Sequence, residues 1–255
     1  MNEETQVPPR RRGIYVLPNL FTTAALFAGF YAIVMGVGQH YETAAIAMFV
    51  AMVLDGADGR IARLTNTQSE FGAQYDSLSD VVSFGLAPAL VVYLWILAPL
   101  GKLGWLAAFF YAAATALRLA RFNTQLGVAD KRYFQGLPCP AAAAVVAGFL
   151  WLGVDYGLSG AAIAWTGLGI MVATGALMVS NVRYNSFKEF DLKGQVPFFF
   201  ALTVVLVFAA VSYDPPVVLF GVFFGYAVSG PIMTLWQIRQ KRAARAADSG
   251  RSQPK

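Results

Sequence analysis

The chain has one cysteine, Cys139, and one histidine, His40, among 255 residues. An internal disulfide is therefore excluded, and so are the usual tetrahedral zinc sites, which draw on several Cys or His side chains. Any bound metal must be held by carboxylates, which favours a hard cation such as Mg²⁺ or Mn²⁺. Charge is scarce as well. Only 13% of residues are Asp, Glu, Lys or Arg, about half the share of a soluble domain. That shortage excludes an ordinary water-soluble globule. The sequence shows no internal repeat, long linker or second domain. Arg10, Arg11 and Arg12 lead directly into a full-length apolar run with no small-residue cleavage site, so no removable signal peptide is expected.

What is present is oil, at 57% hydrophobic residues. Apolar segments recur at roughly 17–37, 42–65, 75–98, 103–124, 138–155, 160–181, 196–212 and 216–238. They are of helical length rather than the alternating ten-residue strands of an outer-membrane barrel. The expected fold is all-α, a polytopic transmembrane bundle of about eight spans. A single membrane domain is expected over 14–240, between disordered tails at 1–13 and 241–255 that are polar and rich in charge. The turns GVGQHYE, APLGKLG, GVDYGLSG and SYDPP hold a single basic residue, Lys102, and the rest of the 19 Lys and Arg side chains fall on the other side. The positive-inside rule then puts both termini in the cytoplasm. The net charge of +5 is accounted for by topology and anionic lipid, so no nucleic-acid partner is expected.

Against this background four aspartates stand close together in VLDGADGRIARLTNTQSEFGAQYDSLSD. On a helix, Asp55, Asp58 and Ala62 share a face at i, i+3 and i+7, and Asp76 and Asp80 share one at i, i+4. Two spans thus present carboxylates toward each other across one cytoplasmic turn. A carboxylate in a membrane normally faces a cavity, a partner or a function. Four that converge repel one another, and a pair of divalent cations would relieve the repulsion. Gly56, Ala57, Gly59, Ala62, Gly72, Ala73 and Ser77 leave room beside them, and Arg63 lies one turn from Gly59, placed to meet an anion such as phosphate. Taken singly, each aspartate could as well be an interfacial cap or turn residue, and cation-coupled transporters also keep aspartates in their spans. Together they suggest a metal-assisted phosphate-ester site.

The full pattern, Asp55-x2-Asp58-Gly59-x2-Ala62-Arg63-x8-Gly72-x3-Asp76-x3-Asp80, resembles the signature of the CDP-alcohol phosphotransferases at every fixed position. The resemblance implies a polytopic helical enzyme that uses two divalent cations, Mg²⁺ or Mn²⁺, at the cytoplasmic membrane surface. By the same resemblance Asp55, Asp58 and Asp76 bind metal, and Asp80 completes the metal site and acts as general base. Gly59, Ala62, Arg63 and Gly72 then line the pocket for the CDP-linked lipid. Dimers are a habit of that family, so a homodimer is expected.

Further stretches resemble the bacterial and archaeal phosphatidylserine synthase branch: LPNLFTTAALFAGF, ALRLARFNTQ, FQGLPCPAAAA and VSNVRYNSFK. This implies a bacterial or archaeal cytoplasmic membrane, CDP-diacylglycerol as donor and L-serine as acceptor. Glycerol 3-phosphate, inositol phosphate or choline are the alternative acceptors. A serine carboxylate calls for a cation, and Arg118, Arg121 and Lys188 are the candidates. The competing role is a positive-inside anchor, which is the plainer account of Arg183 and Lys188, whereas Arg118 sits deeper than an anchor needs. Asn19 and Thr22 on the first span either meet the nucleotide or serve helix packing.

Overall fold

A computed structural model describes residues 16–65, 67, 69–124, 133–185 and 198–251. Within them the helices run α1 (Val16–Val37), α2 (Tyr41–Leu64), α3 (Glu70–Leu100), α4 (Lys102–Thr124), α5 (Cys139–Asp155), α6 (Ala161–Val179), α7 (Phe198–Tyr213) and α8 (Pro215–Arg251). Two three-residue strands, β1 (Tyr133–Gln135) and β2 (Arg183–Asn185), pair antiparallel with Phe134 opposite Tyr184. Among the described residues, five stretches are long and apolar enough to cross a membrane: Pro18–Val37, Glu70–Leu100, Lys102–Thr124, Ala161–Val179 and Pro215–Trp236. The protein is an integral membrane protein, all-α apart from the strand pair. The expected count of eight spans is not reached on that measure. The helix α2 carries Glu42, Asp55, Asp58, Arg60 and Arg63 along its length, and α5 and α7 have only 17 and 16 residues.

Two boundaries differ from expectation. The third helix starts at Glu70 rather than 75, because Ser69 caps it: its hydroxyl accepts from the Gly72 N–H at 3.0 Å. The last helix continues to Arg251, which corrects the expected disorder over 241–251. The stretch KRAARAA is built of strong helix formers that extend a helix already nucleated in the membrane. The expected N-terminal tail, 1–13, lies outside the described residues.

The bundle interior is made of small side chains. Along α5, residues 141–150 are all buried, and seven of the neighbouring core positions on α1 and α2 are alanines: Ala25, Ala28, Ala32, Ala44, Ala45, Ala47 and Ala51. Large apolar groups such as Phe27, Phe30, Val53, Phe109, Trp165, Phe208 and Trp236 point outward instead. Small residues inside let helices approach closely where lipid offers no hydrophobic drive, while bulky ones outside meet lipid. The α1–α3 contact shows the limit of this approach. A Cβ added to Gly29 would lie 2.5 Å from the Ser83 Oγ and 2.7 Å from its Cα. Ser79 and Ser83 donate across the same contact to the carbonyls of Thr22 and Ala25, at 3.2 and 3.1 Å. Gly29→Ala should therefore push the two helices apart and cost about 1–3 kcal/mol, read as a lowered Tm in detergent.

Helix α3 is not uniformly α. It widens to π geometry over Val81–Leu86 and again over Tyr93–Leu97. Pro88 has no N–H to give the Phe84 carbonyl four residues back, and the buried Tyr111 of α4 donates to that carbonyl at 3.0 Å. The same device recurs in α8. Pro231 cannot reach the Ala227 carbonyl, and Tyr184 of β2 donates to it at 2.9 Å. Each helix break is thus closed by a tyrosine from another element, as a membrane interior demands of every polar backbone group.

Candidate active site

One end of the bundle gathers the start of α1, the end of α2, the start of α3, the end of α4, the start of α5 and the strand pair. Hydrogen bonds tie these pieces together. Thr22 reaches Asp58, Asn123 donates to Ser77 at 2.9 Å, and Arg118 donates to Cys139. Arg121 donates to the side-chain oxygens of both Gln135 and Asn181, each at 2.7 Å.

At the centre of this end stand Asp55, Asp76 and Asp80, each offering one carboxylate oxygen such that all three lie within 4.8 Å of one another. Helical spacing is the cause. Asp76 and Asp80 occupy successive turns of α3, and Asp55 faces them from the last turns of α2. Two like unit charges about 4 Å apart repel by about 4 kcal/mol at an effective dielectric of about 20, so this arrangement requires a cation or shared protons. Asp76 Oδ1 is buried and has no hydrogen-bond partner among the described residues. A buried acceptor without a donor, in a set made only of carboxylate oxygens, fits a hard divalent cation. Asp80 closes the α-helical part of α3, and the π segment begins with the next residue. Single π turns inside α-helices recur at functional sites.

Asp58, one helical turn on from Asp55, is not one of the three within 4.8 Å of one another. It is buried, and its Oδ2 accepts the Thr22 hydroxyl at 2.8 Å. The Thr22 hydroxyl is buried between Asp58 and the Pro18 carbonyl, the latter at 3.2 Å. Asn19 instead overhangs Gly72, its Oδ1 lying 3.5 Å from where a Gly72 Cβ would be. A Cβ added to Gly59 would meet nothing within 4 Å, so the α2 face beside the trio is open. Ala62 is partly buried and Arg63 exposed on the same helix end. These positions can wall a pocket next to the carboxylates, with Arg63 at its rim.

Of the cations expected near the acceptor, Arg118 is linked to the trio, among the described residues, only through Cys139. Its Nη1 donates to Cys139 Sγ at 3.3 Å, and the same thiol lies within electrostatic reach of Asp55 and Asp80. Arg118 Nε is buried and has no partner among the described residues. Arg121 is occupied by the two side-chain amides and holds the strand pair to α4. Lys188 lies outside the described residues. The sequence gives no sign that Tyr226 of α8 packs its ring against Tyr184 of β2. No periodicity could have found it, because the neighbours are joined only by the tertiary fold.

The family model for CDP-alcohol phosphatidyltransferases matches residues 15–177, which hold all four aspartates. The chain belongs to that family. It is 37% identical over 220 residues to the CDP-diacylglycerol–serine O-phosphatidyltransferase of Helicobacter pylori strain J99, covering 86% of this chain and 91% of that one. The enzyme of the same name from Mycobacterium leprae is 31% identical over 230 residues, 87% of this chain and 76% of its own. The archaetidylserine synthase of Methanothermobacter thermautotrophicus is 34% identical over 170 residues, 66% and 69% of the two chains. Family membership makes the protein an enzyme of CDP-alcohol chemistry, and family members of this kind work with divalent cations.

Proposed function

We propose that this protein is a phosphatidyltransferase that makes phosphatidylserine and CMP from CDP-diacylglycerol and L-serine. The names of its relatives support the serine acceptor. The observation that carries it is Arg118, a guanidinium whose buried Nε has no partner among the described residues and whose Nη1 donates to Cys139 at the site end of the bundle. Serine needs a base for its hydroxyl and a planar donor for its carboxylate.

The division of labour follows. Asp55, Asp58, Asp76 and Asp80 would hold the divalent cations, with the Thr22 hydroxyl orienting Asp58. Bound there, divalent cations would supply neutralising charge for the pyrophosphate and for CMP as leaving group. Asp80 takes the proton of the serine hydroxyl, whose oxygen forms the new bond to the lipid-side phosphorus as the bond from that phosphorus to the bridging oxygen breaks. Gly59 and Gly72 let the nucleotide approach the backbone, Ala62 keeps the wall low, and Asn19 and Arg63 meet the nucleotide and phosphate. Two cations are the expected number, since donor and leaving oxygens both need neutralising. The bias of Lys and Arg supports a site facing the cytoplasm of a bacterial or archaeal membrane.

The test is an acceptor screen in detergent with CDP-diacylglycerol and Mn²⁺ or Mg²⁺. Serine, glycerol 3-phosphate, inositol phosphate and choline are each supplied alone, and CMP release is followed. Release with serine is expected. Release with another alcohol and none with serine would overturn the assignment. Arg118→Gln should raise the KM for serine by about 10- to 100-fold, the value of a hydrogen-bonded charge pair, and leave the KM for CDP-diacylglycerol within about twofold.

A further inference from the structure

The two sides of the Arg118 guanidinium are treated differently. Its Nη1 donates to the Cys139 sulfur at 3.3 Å, whereas its buried Nε has no partner among the described residues. Nη1 is the nitrogen on the Cδ side of the group, so the opposite edge is made by Nε and Nη2. Such an edge offers two parallel N–H bonds, the geometry in which a guanidinium takes a carboxylate. The thiol therefore engages the one nitrogen that this edge does not use.

Cys139 is itself held firmly. It is fully buried at the first position of α5, with Pro138 before it and Pro140 after it. Pro138 fixes the entry of the chain at φ −56°, and Pro140 sits in the first turn, where a missing N–H costs nothing. Just upstream, the Gly136 N–H donates to the Val182 carbonyl at 2.8 Å and that of Leu137 to the Leu177 carbonyl at 3.0 Å. Gly136 has φ +76°, and a Cβ there would run into the Met178 carbonyl. The backbone beneath Cys139 is thus fastened to the end of α6 and cannot follow Arg118. The thiol proton has a direction of its own, toward the Thr115 carbonyl at 4.0 Å, one turn before Arg118 on α4. With the proton directed there, the lone pairs of the sulfur are left for Nη1.

The choice of sulfur matters. A thiol is a weak acceptor, so it can set the direction of a guanidinium without neutralising it. A carboxylate in the same place would form a charge-assisted pair and satisfy the cation before any ligand arrived. Packing alone would be met by alanine, which occupies positions 141 to 144 of the same helix, all of them buried.

We propose that Cys139 is a positioning residue for the acceptor: its sulfur holds the Arg118 guanidinium so that the edge formed by Nε and Nη2 meets the acceptor carboxylate. The proposal rests on Arg118 as the carboxylate partner.

The experiment is steady-state kinetics on the full chain in detergent with Mn²⁺, varying serine and CDP-diacylglycerol separately. Cys139→Ala should raise the KM for serine about three- to tenfold, the range of one ordinary hydrogen bond, and leave kcat and the KM for CDP-diacylglycerol within about twofold. Cys139→Ser keeps a donor and an acceptor at the same position and should hold the serine KM within about twofold of the unsubstituted protein. Added to Arg118→Gln, Cys139→Ala should change the serine KM little further, because a residue that acts through Arg118 has nothing left to position. An unchanged serine KM in Cys139→Ala overturns the proposal. So does an equal rise on top of Arg118→Gln, or a serine variant no better than the alanine one. If Cys139→Ala gives too little folded protein, Cys139→Val decides, since it fills the space of the thiol without an acceptor: a raised serine KM supports the proposal and an unchanged one overturns it. Arg118→Gln alone separates the two levels. If it leaves serine KM unmoved, the acceptor reading itself fails. If it raises serine KM while Cys139→Ala does not, only the role of Cys139 fails.

Discussion

Asp80→Asn should cut CMP release by about 10²- to 10⁴-fold, the usual contribution of a positioned general base. The change is isosteric, so packing at the junction of α-helical and π geometry in α3 is preserved. It removes the group closest to a proton-acceptor role and one of three carboxylates within 4.8 Å of one another. The fall should appear in kcat, with the KM for CDP-diacylglycerol little changed, because the lost interaction belongs to the transition state. The Tm should hold or rise, since one negative charge leaves a cluster of like charges. Loss of activity with retained stability marks a functional residue rather than a structural one. Near wild-type release from Asp80→Asn would remove it from the proposed chemistry.

Chelation should have an effect at least as large. Exhaustive treatment with EDTA is expected to stop turnover, a loss on the order of 10³-fold or more, because several kcal/mol of charge stabilisation at the pyrophosphate go with the cations. Added Mn²⁺ or Mg²⁺ should restore it. The all-oxygen donor set gives the reason for that pair, and the unpartnered Asp76 Oδ1 gives the most sensitive probe. Asp76→Asn should require about tenfold more metal for half-maximal activity, since an amide oxygen is a weaker ligand than a carboxylate. Full turnover after chelation, with the metal content verified as depleted, would rule out metal assistance.

Much of the site is legible in the sequence because helical periodicity is local. The spacings of Asp55 from Asp58 and of Asp76 from Asp80 already put carboxylates on facing stripes, and the structure draws three of the four together. Spacing cannot reveal that Asp58 accepts the hydroxyl of Thr22, a residue 36 positions earlier. Arg121 illustrates the same limit. Its sequence position suits an acceptor contact or an anchor, and only the fold brings Gln135 and Asn181 to its guanidinium. The start of α3 is hidden because Asn-Thr-Gln-Ser looks like loop, and the capping serine is a single residue within it. The π segment over Val81–Leu86 lies where Pro88 and a tyrosine hydroxyl on another helix meet, which no local pattern announces. Tyr184 and Tyr226 meet although all of α7 lies between them in the chain, with no pattern in either segment to announce it.

The two proline breaks have a consequence for how the protein is made. Until α4 is in place, the Phe84 carbonyl has no tyrosine to meet it, and until β2 and α8 come together the same holds for Ala227. An unmatched carbonyl in hydrocarbon costs several kcal/mol. A nascent chain halted between Pro88 and Tyr111 thus carries a polar fault that only the next helix repairs. In this way α3 and α8 are each completed only when a neighbour supplies its tyrosine.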